Sequence, residues 1–140
     1  MFPFMHWRKQ GDLGEVSAAE WLVAQGWDVY LPLGHSENCD LVAFIDGRYQ
    51  GIQVKTSQYF AHDRWQISVC TRGGNRSWSG IVKRFSPERC DWLFVHVGDG
   101  RRWFIPAAVV GGGSAILIGG PKYATYEIEA GRALPPVAAA

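Results

Sequence analysis

Asp40-Leu41-Val42-Ala43-Phe44-Ile45-Asp46-Gly47-Arg48-Tyr49-Gln50-Gly51-Ile52-Gln53-Val54-Lys55-Thr56 is the stretch whose reading decides the fold. Leu41 to Ile45 is an unbroken apolar run bounded by turn residues. It predicts a central strand covered on both faces, and five residues are too few for a helix. Asp46-Gly47 brings two residues that tolerate positive φ, a strong hairpin signal. Beyond it the chain alternates, with Ile52 and Val54 pointing one way and Gln53 and Lys55 the other. With the turn centred on Gly47, Asp40 and Val54 are equidistant and face each other. Asp40 then lies beside both Gln53 and Lys55 at one end of the hairpin.

Working outward, Asp12-Leu13-Gly14-Glu15 followed by Val16, Ala19, Leu22 and Val23 has an acidic cap, a Glu three residues later and helical apolar spacing. The helix is expected to start at Asp12 and to run to about Gln25, where Gly26 stops it. Asp28 to Leu31 reads as a short strand ended by Pro32, and Gly34 to Asn38 as a loop. Trp65 to Cys70 alternates, Gly73 to Ser77 is a polar loop, and Ser86-Pro87-Glu88 has the cap and first turn of a short helix. Trp92 to Val97 and Arg102 to Ile105 flank the turn Gly98-Asp99-Gly100, while Ala115 to Ile118 and Tyr123 to Ile128 read as edge strands. Residues 1–130 are expected to form one domain of mixed α/β class, and residues 131–140, with Pro135-Pro136, a loose C-terminal tail.

Composition narrows the classes. The 140 residues, 47% of them apolar, suffice for one core, and the 17 Gly and 7 Trp suit a compact, turn-rich fold and not disorder or a coiled coil. Cys39, Cys70 and Cys90 contain no C-x-x-C pair and are read as reduced thiols. The start is too short and too broken by Pro3 for a signal segment, and no apolar run approaches a membrane span, so a cytoplasmic protein away from the membrane is expected. The net charge of +1 argues against a polyanion partner until it is resolved along the chain. Residues 1–47 hold two basic and seven acidic groups, residues 48–104 ten and four, and residues 105–140 two and two. An acidic head precedes a basic middle.

An acid, an amide oxygen and an ammonium converging on one hairpin end suit metal-assisted hydrolysis of a phosphodiester. A carboxylate and a carbonyl oxygen can hold Mg²⁺, a hard cation, and the ammonium can orient water or stabilise the pentavalent transition state. The sequence here resembles the PD-(D/E)XK nuclease superfamily. Gly11-Asp12-Leu13-Gly14-Glu15 is similar to the helix start of archaeal Holliday-junction resolvases, Cys39-Asp40-Leu41-Val42 to their metal-binding strand, and Gln53-Val54-Lys55-Thr56 to the Gln-x-Lys variant of group I intron homing endonucleases. The resemblance covers residues 8–57 and implies a restriction-endonuclease-like core, a central mixed β-sheet flanked by helices.

It also implies a Mg²⁺-dependent endonuclease acting on double-stranded or branched DNA, with Mn²⁺ as a possible substitute. Glu15, Asp40, Gln53 and the Val54 carbonyl are the implied metal ligands and Lys55 the catalytic lysine. Gln53 departs from the usual Glu and brings one charge fewer. The Pro of the first motif is also missing, since Asn38-Cys39 precede Asp40.

The basic middle, with Arg72, Arg76, Lys83 and Arg84 around Trp78, is then free to bind DNA phosphates, with Trp78 against a base and His35 helping near Asp40. Taken singly each residue has a plainer reading: Glu15 as capping-box partner of Asp12, Gln53 and Lys55 as the solvent face of a strand, Trp78 as core. Cutting both strands of a duplex calls for a homodimer or homotetramer. The other readings are a non-catalytic DNA-binding or assembly module on a nuclease fold, with Gln53 marking a weakened metal site, and an enzyme acting on RNA or a phosphorylated small molecule.

Overall fold

The hairpin forms as the sequence requires. In the computed structural model, which describes residues 4–36, 38–72 and 82–137, Asp46 and Gly47 have φ of 50° and 81° and join β2 (Leu41–Ile45) to β3 (Arg48–Ser57). Two residues at positive φ match the right-handed twist of the flanking strands. Ile45 pairs with Arg48 and Leu41 with Ile52, so the turn is centred on the Asp46–Gly47 bond and not on Gly47. The expected pairing of Asp40 with Val54 is therefore not formed: the ladder ends with Leu41 opposite Ile52, and the Asp40 N–H donates to the Ile52 carbonyl. From there the Asp40 carboxylate reaches along β3 to the Gln53 amide and the Val54 N–H.

Six strands form the main sheet in the order β1-β2-β3-β8-β9-β11, with β1 Asp28–Tyr30, β8 Trp92–Val97, β9 Arg102–Pro106 and β11 Glu127–Ile128. All neighbours are antiparallel except β3 and β8, which run parallel from Ile52 beside Trp92 to Ser57 beside Val97. A parallel pair demands a long crossover. Here it is built from short strands: β4 (Phe60–Ala61), β5 (Arg64–Ser68), β6 (Cys70–Arg72) and β7 (Val82–Arg84). Strand β10 (Ala115–Ile118) joins β5 and β4 in a second sheet, and β6 and β7 pair with each other.

Helix α1 spans Trp7–Ala24, five residues longer at its start than the sequence pattern suggested. Its N-cap is His6, whose Nδ1 accepts the Arg8 N–H at 3.2 Å, so Asp12 is not the cap. The extra turn belongs to the buried stripe Gln10, Gly14, Ala18, Trp21 and Leu22, and the Gln10 amide donates to Thr56 Oγ1 at 3.1 Å. Glu15 thus lies mid-helix, and the capping-box explanation for it falls away. Gly26, at φ 89°, ends the helix as expected.

Two cores lie on opposite faces of the sheet. On one, Ala18, Trp21 and Leu22 of α1 pack on Leu41, Ala43, Ile45, Ile52, Val54, Phe94 and Phe104. On the other, Trp65, Ile67, Val69, Ile116 and Ile118 cover Leu93, Val95, Val97, Trp103 and Ile105. Each fully buried side chain of this size contributes roughly 1.5–3 kcal/mol, so both layers matter to stability. Among the described residues α1 is the one α-helix. The expected second flanking layer of helices is replaced by the β10-β5-β4 sheet, whose alternating strands present an apolar face of their own. Strand β2 is likewise covered on one face only, since Val42 is half-buried and Phe44 exposed. The Ser86 turn closes through Ser86 O to Arg89 and Cys90 N–H and goes no further.

Residues 131–137 are not loose. Gly131 and Leu134 donate to the carbonyls of Gly100 and Gly98, Met5 pairs with Val137, and Leu134 is buried. Backbone hydrogen bonds to a tight turn hold them in place of side-chain patterning, which is why the sequence signal was weak. The roles expected of Arg76 and Trp78, and of the Arg72 and Lys83 side chains, lie outside the described residues.

Gly14 is the point of closest approach between α1 and β3: a Cβ there would stand 2.5 Å from Thr56 Cγ2 and 3.2 Å from Val54 Cγ1. Both neighbours are β-branched strand residues with little freedom to move. Gly14→Ala is expected to destabilise the protein by about 1–3 kcal/mol despite its better helix propensity, measured as a lower midpoint of urea unfolding. An unchanged midpoint would mean that the helix can lift off the sheet without loss.

Candidate active site

Strand β2 begins its pairing at Leu41, while β3 runs on to Ser57, so among the described residues β3 has an open edge from Gln53 onward. An open edge leaves backbone N–H groups without partners. Asp40 meets this need: its Oδ2 accepts the Val54 N–H at 2.8 Å and the Gln53 Nε2 at 2.9 Å, while its own N–H donates to Ile52 O at 2.9 Å. Since N–H and C=O of one strand residue point the same way, the Val54 carbonyl faces this edge too. Lys55 reaches back to the Cys70 carbonyl, with Nζ at 3.5 Å, at the root of the β6–β7 hairpin.

Gln53 and Lys55 stand level with Leu93 and Val95, on the face away from α1, whereas Glu15 comes from α1 on the opposite side. They meet because the edge is open. Glu15, Asp40, Gln53, Val54 and Lys55 line one cleft of about 400 Å³, whose remaining wall is Trp7, Arg8, Gly11 and Asp12. The four sequence-nominated side chains and the Val54 backbone are thus brought together. Trp7 and Arg8 were missed because the helix was expected to begin at Asp12. Extended by one turn, the stripe Arg8, Gly11, Asp12 and Glu15 follows the helical repeat and was there to be read.

Of the other nominated residues, His35 is exposed and close enough to draw the Asp40 carboxyl downward in pKa. Arg84 is exposed and donates through Nη1 to Gly112 O at 3.2 Å, outside the cleft. It pairs across the ladder with Cys70, the residue whose carbonyl Lys55 approaches, so the basic hairpin is rooted beside the cleft.

The electrostatics are those of an under-compensated acid pair. Burial, then the Asp40 charge, then Asp12 push the Glu15 carboxyl up. Burial also pushes Asp40 up, outweighing the Val54 hydrogen bond and the attraction of Lys55 and His35. Burial pulls Lys55 down against the opposing pull of Asp40. Among the described residues no group of three His, Cys, Asp or Glu side chains is placed to hold a metal ion by itself. The available donors are instead two carboxylates, an amide oxygen and a backbone carbonyl. That all-oxygen set fits a hard divalent cation and not zinc, and a cation there would relieve the carboxylates.

A larger cavity of about 550 Å³ lies on the other flank of α1, next to His96 and Arg102. Its polar groups are taken up by one another. His96 contacts Ser17 Oγ at 2.7 Å and Arg132 O at 2.6 Å, and Arg102 Nη1 meets Glu20 Oε2 at 2.9 Å. This network straps the C-terminal segment to the sheet.

A carboxyl with a raised folded-state pKa contributes stability that is complete below its ordinary value, 3.8 for Asp40, and lost as pH rises through the folded value. Asp40→Asn keeps an oxygen for the Val54 and Gln53 donors and removes the buried charge. In EDTA at neutral pH it is expected to raise Tm by about 2–4 °C, a gain that shrinks as pH falls toward 3.8. Calorimetry at two pH values decides it, and a lower Tm at neutral pH would show that the Lys55 attraction outweighs burial.

Among curated proteins no sequence matches this chain. A solved bacterial homing endonuclease has the same fold, with a TM-score of 0.71 over 86% of this chain and 87% of that one, at 22% identity. The model of the PD-(D/E)XK endonuclease family matches residues 5–118, which include α1, the hairpin and the whole open-edge cleft. The chain belongs to the PD-(D/E)XK endonuclease family.

Proposed function

We propose that this protein is an endodeoxyribonuclease that uses Mg²⁺, with Mn²⁺ as a substitute, to hydrolyse phosphodiester bonds of double-stranded or branched DNA in the cytoplasm. The observation that carries the reading is Asp40 bridging Gln53 and Val54 in a cleft shared with Glu15 and Lys55. Glu15, Asp40, the Gln53 side-chain oxygen and the Val54 carbonyl would hold the cation, which when bound acidifies water and offsets charge on the phosphate.

The chain's own groups supply the rest. Lys55 carries a positive charge in a half-buried position, where it acts more strongly on a phosphate oxygen than it would in water, and its lowered pKa eases proton exchange with the attacking water. Asp40 holds the Gln53 amide through its nitrogen, which leaves the amide oxygen as the ligand atom of that side chain. Arg72, Arg76, Lys83 and Arg84, with Trp78 and His35, neutralise and position the DNA backbone. Two copies in a homodimer, or four in a homotetramer, address both strands. The narrower homing role takes its support from the bacterial homing endonuclease that shares this fold.

A non-catalytic DNA-binding module on the same fold is the second reading. It is favoured by the neutral Gln53, and by an Asp40 Oδ2 that already accepts two hydrogen bonds. Incubation with supercoiled, linear and branched DNA in Mg²⁺ or Mn²⁺ against EDTA separates the two. For a nuclease, metal-dependent nicking is expected to drop by about 100-fold or more in Lys55→Ala and Asp40→Ala. Gln53→Glu is expected to tighten Mn²⁺ binding by calorimetric titration, since it restores a charge. DNA bound but never cut supports the module, and cutting by both Ala variants at the wild-type rate removes the active-site assignment.

A further inference from the structure

We propose that Trp7 and Arg8 form a stacking platform for an unpaired nucleobase beside the scissile phosphate, so that the preferred substrate is DNA whose helix is locally opened. This deepens the DNA-cleaving reading above and rests on it. Trp7 and Arg8 line the same cleft as Glu15, Asp40, Gln53 and Lys55. Trp7 is 62% exposed, an uncommon state for the largest apolar residue unless a partner covers it. Its ring already serves planar groups: the Arg8 guanidinium lies 5.2 Å from its centroid, and the His6 ring stacks at 5.5 Å with 29° between planes.

Charge supports the same placement. Arg8 and Lys9 are the only basic residues among positions 1–47, a segment with seven acidic ones, and both lie in the first turn of α1. Lys9 is partly offset by Asp12 at 3.7 Å. Cation and aromatic thus sit together at the end of an acidic cleft, the pairing that tracks a single strand by holding phosphate with one group and a base with the other. The platform and Glu15 share one rigid helix. Eight residues of it span about 12 Å, a few nucleotides of backbone.

The physics of stacking then selects the substrate. A base within a duplex has both faces against its neighbours, so only a terminal, splayed or extruded base has a face to offer Trp7. An exposed cation–π contact is weaker than base–aromatic stacking, so the base can displace Arg8 from the ring and leave its guanidinium to a phosphate.

The test compares a blunt duplex with a splayed fork of the same sequence, with binding read in EDTA by fluorescence anisotropy and cleavage in Mg²⁺. Wild type is expected to bind the fork about fivefold or more tighter than the duplex. Trp7→Ala should weaken fork binding by about tenfold and duplex binding by less than about twofold, with Trp7→Phe recovering most of the loss. A 2-aminopurine at the first unpaired position should be quenched by wild type and not by Trp7→Ala. Equal losses on both DNAs, no loss on either, or a fall in Tm that Trp7→Phe leaves uncorrected would each overturn the platform. Fork preference through Trp7 without any cleavage keeps the platform and removes the nuclease reading. Cleavage of fork and duplex alike, with Trp7→Ala indistinguishable from wild type, does the reverse.

Discussion

The hydrogen bond from the Val54 N–H to the Asp40 carboxylate holds the organisation of the site together. Strand β3 outruns its neighbour β2, and the first backbone donor left on the open edge needs an acceptor. A carboxylate meets that need with a charge-assisted bond, and the same oxygen fixes the Gln53 amide. The interaction that ends the ladder thereby plants a buried negative charge next to Lys55. Burial raises the Asp40 pKa, so the structure carries an electrostatic cost here that a bound cation would remove.

The open edge also explains how groups from both sides of a sheet reach one cleft. Gln53 and Lys55 project from the face covered by the second sheet, Glu15 from the helix packed on the other. Inside a sheet these groups would be separated by its thickness. At its edge they converge. The close approach of α1 at Gly14, against Val54 and Thr56, brings the helix down onto β3 and sets Glu15 at the level of Asp40. The geometry of this cleft is thus a consequence of where one strand stops and how tightly one helix packs.

The crossover between β3 and β8 gives the molecule its second face. Where the parallel pair calls for a long connection, this chain places the short strands β4 to β7. These bury Trp65, Ile67 and Val69 and emerge as a hairpin whose base, Cys70 opposite Arg84, lies beside Lys55. The arrangement brings the root of the β6–β7 pair to the cleft. The cleft itself contains Glu15, Asp40 and Asp12 together with Arg8 and Lys55.

By itself the sequence determined the hairpin and strands β1, β5, β8, β9 and β10 and nominated Glu15, Asp40, Gln53 and Lys55, because period-two alternation and the Asp46-Gly47 turn are local signals that survive without neighbours, whereas the expected strand Tyr123 to Ile128 is a strand only at Glu127–Ile128. It misjudged what depends on neighbours. The helix starts at His6 and not Asp12, because the first turn is stabilised by Gln10 against Thr56, a residue 46 positions away. The register slipped by one because a two-residue turn is centred on a bond. Residues 131–137 are held by backbone bonds to the Gly98–Gly100 turn that no side-chain pattern announces. Only the tertiary structure decided that Glu15 faces Asp40 across an open edge, and that Trp7 and Arg8 join them. Those positions follow from the packing of α1 on β3, a long-range contact whose energy is spread over many buried side chains and is written in no single motif.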